Sequence, residues 1–285
     1  MATPPGFGGG GVNELVGANL WSELRAGAVV FEDETALVLN KPAGISVTGE
    51  RHGTDLVRLA QECGEPVFPA HRIDKATSGV ILFAKQLAGH GELTRQFNKR
   101  TVAKTYLAIT ATGGLPERGT IELPLSVGRK NRVRVAANRA EITFDQVRGR
   151  WSVPIGAEFA QVRTYPSTTR FTRLWTDELG TDGRGSDEPR TDQRAVDQVT
   201  LLAVAPLTGR RHQIRVHLAW IGHPILGDPL FSRQPTTRTF LHSWRLAFDL
   251  PDGRRITATA PPGADFWAPL PDRLGDRAAV LAQAG

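Results

Sequence analysis

The chain has 285 residues, 40% hydrophobic and 22% charged, which is enough for one large domain or two small ones with a real core. Its 35 Lys and Arg against 29 Asp and Glu leave a formal charge of +6, a balance that admits a polyanionic partner. A single cysteine, Cys63, excludes an intrachain disulfide and a cysteine-based metal site, and no apolar run approaches the eighteen or so residues of a membrane-spanning helix.

Met1 to Val12 is rich in Gly and Pro and lacks the basic and apolar regions of a signal peptide. It reads as a disordered tail, with the cytoplasm as the default compartment. Asn13 to Arg25 predicts a short helix carrying Leu15, Leu20 and Leu24 on one side. Ala28 to Phe31 and Ala36 to Asn40 predict two strands around the turn Glu32-Asp33-Glu34, and Lys41-Pro42-Ala43-Gly44 breaks the second. Thr54 to Cys63 and Leu87 to Asn98 have helical spacing, and Gly79 to Phe83, Ala103 to Thr110 and Gly119 to Leu123 read as strands. Arg129 to Arg139 is basic, with alternating valines at 133 and 135.

Between about 177 and 197 the composition shifts. Leu179 to Asp192 is polar and Gly-containing, the pattern of a mobile surface loop. Val199 to Val204 is a strand, Leu207-Thr208-Gly209 a turn, and Arg210 to about Gly222 an amphipathic helix with Ile214, Leu218 and Ile221 on its apolar face. Leu241 to Leu250 and Arg254 to Ala260 form a strand pair around Pro251-Asp252-Gly253. The whole is an α+β pattern: a mixed, mostly antiparallel sheet core with flanking helices and loops.

Three segments carry chemistry. His71-Arg72-Ile73-Asp74-Lys75-Ala76-Thr77-Ser78-Gly79 sets a carboxylate between two cations and before a hydroxyl-rich turn. That setting keeps Asp74 ionised, as a nucleophile or base requires; taken by itself, the segment fits a solvated turn with a salt bridge more simply. In Thr208 to His217, Arg211 and Arg215 share a helix face with His212. With the apolar face on the sheet, this basic face points outward or into a cleft, where it meets RNA phosphates, the Asp74 carboxylate or only water. In Lys104-Thr105-Tyr106-Leu107-Ala108, Tyr106 shares a strand face with Lys104 and Ala108, either as a core tyrosine or as a platform for a flipped base. The spacings of His212, His217 and His223 do not repeat on one helical face, so no metal site is expected.

Taken together and in order, these segments resemble the RluA-type pseudouridine synthases. Val30 to Asp33 with Val38 to Gly44 looks like that family's opening strands, and His71 to Lys85 like the loop and strand bearing its catalytic aspartate. Lys104 to Ala108, Thr208 to Asp228 and Leu241 to Leu246 match its later motifs, so the resemblance runs over roughly residues 28 to 270, less the polar loop. It implies isomerisation of uridines to pseudouridine in structured ribosomal or transfer RNA, with the base flipped out and no cofactor. Asp74, Tyr106 and Arg215 would be catalytic, with Arg215 paired to Asp74 and Tyr106 stacked on the base. Arg72, Ile214, His212, Thr208, Gly209 and Arg211 would contact the substrate. RNA would be the partner, with no membrane and no required protein partner. The expected layout is a tail and short helix over 1–27 with no S4-type domain, a catalytic domain over 28–270, and a C-terminal tail over 271–285. The stretch from about Phe144 to Arg194 is longer and more polar than the family pattern.

Overall fold

A computed structural model describes residues 18–50, 54–178, 198–232, 236, 238–270 and 274–284. The elements in chain order are α1 (Ala18–Gly27), β1 (Val29–Glu32), β2 (Ala36–Lys41), α2 (Leu56–Glu62), β3 (Phe68–Pro69), β4 (Ser78–Ala84), α3 (Leu87–Lys99) and β5 (Ala103–Thr110). Then follow β6 (Arg118–Glu122), β7 (Leu125–Val127), β8 (Val133–Val135), β9 (Thr143–Asp145), β10 (Arg150–Ser152), β11 (Thr164–Tyr165) and β12 (Thr168–Glu178). The rest are β13 (Gln198–Pro206), α4 (Gln213–Trp220), β14 (Leu241–Asp249), β15 (Arg255–Thr259), α5 (Ala264–Trp267) and α6 (Arg277–Ala282). The fold is the mixed, mostly antiparallel α+β architecture. The expected N-terminal tail and most of the polar loop lie outside the described residues.

The chain divides into two compact units, Met1–Leu107 with Thr237–Ala268, and Ala108–Thr236 with Pro269–Gly285. In the first, β1, β2 and β4 pair antiparallel, β14 joins β4 in parallel, and β15 lies antiparallel to β14. Every residue of β4 is buried, because alternation sends its side chains into two cores. Leu37, Leu39, Ile81 and Phe83 pack with Leu20, Trp21, Leu56 and Leu59 from α1 and α2. Val38, Val80 and Leu82 pack with Leu93, Leu246 and Phe248 on the other face. Each such side chain contributes about 1.5–3 kcal/mol on burial. Asp55 caps α2, its side chain accepting from Arg58 N–H at 3.0 Å.

One edge of β4 is shared by two strands. β3 pairs with Phe83 and Ala84, whereas β14 pairs with Ser78 and Gly79. Residues 70–77 carry the chain from the first position to the second, so the Asp74 loop is anchored at both ends by strand pairing.

In the second unit β13, β12 and β6 are antiparallel, β10 joins β6 in parallel, and β9 closes on β10. A separate small sheet has the order β11-β7-β8. The strands β9 to β12 fall in the stretch that read as merely long and polar. A register shift between Arg173 and Trp175 in β12 interrupts the alternation by which that strand would have been recognised. The segment expected as a helix from Arg210 begins its α-helix only at Gln213. His212 takes a left-handed backbone conformation, φ 53°, immediately before it.

Candidate active site

The aspartate loop is tied down from within the first unit. Ile73 is buried in the core, and the Thr77 N–H donates to the Asp74 carbonyl at 3.0 Å, closing a turn under the carboxylate. His71 stacks on Phe97 at 4.5 Å, and its Nε2 accepts from Leu82 N–H at 3.1 Å. Burial holds that imidazole neutral, with its pKa pushed down to about 3. Arg72, one residue before Ile73, is exposed, and Asp74 is partly buried.

Lys41 joins two loops. Its Nζ donates to the carbonyls of Pro42 at 2.8 Å, Ile45 at 2.9 Å and Lys75 at 3.4 Å, while Gly44 N–H donates to the Lys75 carbonyl at 2.8 Å. The ammonium is fully buried, and burial pulls its pKa down to about 7; the Asp74 charge favours the ammonium and the Arg238 charge opposes it. The sequence reading took Lys41-Pro42 only as a chain breaker and missed this cation beside Asp74.

Tyr106 packs against the core that contains Ile73 and is hydrogen-bonded to Ser243. Burial first, and the Asp74 charge in addition, push its phenol up to about 12, so it is protonated at neutral pH. Ser243 lies opposite Gly79 across the β4–β14 pairing. Gly79 has φ 105°, and a Cβ there would lie 2.1 Å from the Ser243 carbonyl oxygen, so only glycine allows this approach.

A polar chain runs behind the loop. Arg238 Nη2 donates to Ser78 Oγ at 2.6 Å, and Arg238 Nη1 pairs with Asp265. His242 Nε2 must donate to the Ala260 carbonyl at 2.9 Å, so its Nδ1 accepts from the Ser78 hydroxyl at 2.8 Å. Sequence reasoning named neither Arg238 nor Ser243 as functional, since their partners lie far along the chain.

In the second unit the expected basic helix face is a correction. Gln213 through Ala219 are all buried, Arg215 and His217 included, so α4 has no solvated side. The polar side chains are satisfied internally. Arg215 donates to Asp228 through Nε at 2.7 Å and Nη2 at 2.8 Å. His217 Nε2 donates to the Leu123 carbonyl at 3.0 Å and its Nδ1 accepts from Thr169 Oγ1 at 2.9 Å; burial lowers its pKa to about 4. Gln213 Oε1 accepts from the Thr208 hydroxyl at 2.7 Å and Arg210 N–H at 3.0 Å. Thr208 and Ile214 are buried, Gly209 and Arg211 exposed, and Arg211 donates to the Asn131 carbonyl. His223 Nδ1 meets Thr112 Oγ1 at 2.7 Å.

The chain is similar to known proteins over most of its length. The family described as RNA pseudouridylate synthase matches residues 35–220. A dual-specificity RNA pseudouridine synthase, RluA, of Escherichia coli (strain K12) is 30% identical over 246 residues, covering 84% of this chain and 93% of that protein. The ribosomal large subunit pseudouridine synthase D of Nitrosomonas europaea is 30% identical over 276 residues; the match covers 89% of this chain but spans only 64% of that longer protein. The human RNA pseudouridylate synthase domain containing 4 shares the fold, with a TM-score of 0.65 at 21% identity over 87% of this chain and 93% of that one.

Proposed function

Because the chain belongs to the RNA pseudouridylate synthase family, we propose that it isomerises uridine to pseudouridine in ribosomal or transfer RNA, with Asp74 as the catalytic carboxylate. The observation that carries the residue assignment is the grouping, in one unit, of Asp74 with the Lys41 ammonium and the Tyr106 phenol, each of which feels its charge.

The reaction breaks the N1–C1′ bond, turns the uracil and joins C5 to C1′. No atoms leave apart from exchanging protons, and no electrons are gained, so the chemistry itself calls for no cofactor. One carboxylate can attack C1′, add to C6 of the base, or remove the 2′ proton, and each route needs Asp74 ionised. The Asp74 charge acts on the buried Lys41, and Tyr106, kept protonated, offers a ring for the base to stack on and a proton to give. The reading gives Arg215 the part of a catalytic cation, and Arg72 that of filling the space a flipped nucleotide leaves. Ile214, Thr208, Gly209, Arg211 and His212 stand near the substrate in this assignment. It places the protein in the cytoplasm.

Incubating the purified protein with bulk ribosomal and transfer RNA tests the reading. Pseudouridine in RNA of unchanged mass supports it. Released uracil would make the enzyme a base glycosylase, and unaltered RNA would leave only a binding protein.

A further inference from the structure

Three segments of the second unit, residues 123–140, 159–176 and 198–227, contain no Asp or Glu. The fold gathers their cations. Pairing of β11, β7 and β8 sets Thr164, Ser126 and Arg134 in one row. Arg132 and Arg134 flank the buried Val133 and are exposed on the same side, about 6.6 Å apart along an extended chain. Arg163 and Arg210 lie 5.1 and 5.2 Å from the Tyr165 ring centroid, and Arg134 lies 4.9 Å from that of Phe159. Arg211 bridges to the Asn131 carbonyl.

None of these five arginines is in an ion pair among the described residues, whereas Arg25, Arg58, Lys75, Lys85, Arg148, Arg150 and Arg255 all have carboxylate partners. Surfaces that only solvate a protein intersperse both signs. A guanidinium lying over a ring is held in place with its N–H edges directed outward, the arrangement that suits bidentate donation to phosphate. Among the described residues, Arg210 Nε is buried with no acceptor of its own.

The geometry points to this face, built from Arg132, Arg134, Arg163, Arg210 and Arg211 around Tyr165, as the surface that grips the phosphate backbone of the substrate RNA. The inference rests on the RNA-modifying function proposed above and adds where the RNA lies. Arg132 and Arg134 fall close to the separation of neighbouring phosphates on a strand. The contact is electrostatic and independent of sequence, setting position rather than choosing the uridine.

The test is filter binding of bulk transfer RNA and ribosomal RNA to the full chain across about 50–200 mM salt. The triple variant Arg132→Ser, Arg134→Ser, Arg163→Ser is expected to bind about 10- to 100-fold more weakly. The slope of log affinity on log salt is expected to become shallower by about two to three. The matching triple lysine variant is expected to recover most of both. Wild-type affinity and slope in the serine variant would overturn the surface, and so would a lysine variant no better than the serine one. If the wild type binds through these arginines but makes no pseudouridine, the surface stands and the enzymatic reading falls. If the serine variant binds normally and the wild type makes pseudouridine, only the surface falls.

Discussion

The guanidinium of Arg215 is gripped by both carboxylate oxygens of Asp228, with side chains 5% and 0% exposed. A single hydrogen bond would leave the planar fork free to swing, whereas two fix its plane and direction. Asp228 therefore acts as the positioning residue for Arg215. Asp228→Asn keeps the shape but removes a buried countercharge from Arg215. It is expected to lower unfolding free energy by about 3 kcal/mol or more, read by urea denaturation at neutral pH. A loss under about 1 kcal/mol would show that the pair adds little to the fold.

Gly79 sets a second test. Gly79→Ala puts a methyl 2.1 Å from the Ser243 carbonyl at φ 105°, where backbone meets backbone and neither can turn aside. Strain and overpacking together are expected to cost about 3 kcal/mol or more and to disturb the Tyr106–Ser243 hydrogen bond. Gly64→Ala, at φ 73° with nothing within 4 Å, is expected to cost about 1–2 kcal/mol. Thermal or urea unfolding of the two variants compares them directly, and equal losses would contradict the close approach.

Acid is expected to destabilise the protein through its buried histidines. The folded pKa values of His71, His217 and His242 are pushed down to about 3, 4 and 4 by burial, from an ordinary 6.5. Between about pH 4 and 6.5 the unfolded chain thus binds more protons than the folded one, so stability rises with pH there and is lost on acidification. Each histidine adds up to about 1.4 kcal/mol per pH unit, and the three together about 4. Urea melts at pH 5, 5.5 and 6 measure the slope; a flat profile would mean that these imidazoles are protonated in the fold.

Much of the architecture was legible in local pattern. The strand Ala103–Thr110 has the bounds its alternation implies, and α3, Leu87–Lys99, differs from the predicted helix by one residue. α4 was harder, because a basic residue reads as solvent-facing unless its partner is known. The partners of Arg215 and His217 are 13, 48 and 94 residues away. Asp74 and Tyr106 stood out by residue type and setting. Lys41 did not, since its three acceptors are backbone carbonyls, which leave no trace in the identities of Pro42, Ile45 and Lys75. Of the arginines around Tyr165, Arg132 and Arg134 were visible as part of a basic run and Arg211 on the expected helix, and the fold was needed to bring Arg163 and Arg210 beside the ring.

The proposed isomerisation turns on the Asp74 carboxylate. The most direct measurement quantifies pseudouridine formed in ribosomal and transfer RNA by the purified wild type and by Asp74→Asn, with RNA binding followed alongside. The wild type is expected to form pseudouridine, and Asp74→Asn to form none while still binding RNA. Formation by Asp74→Asn at a rate near that of the wild type would rule out Asp74 as the catalytic carboxylate.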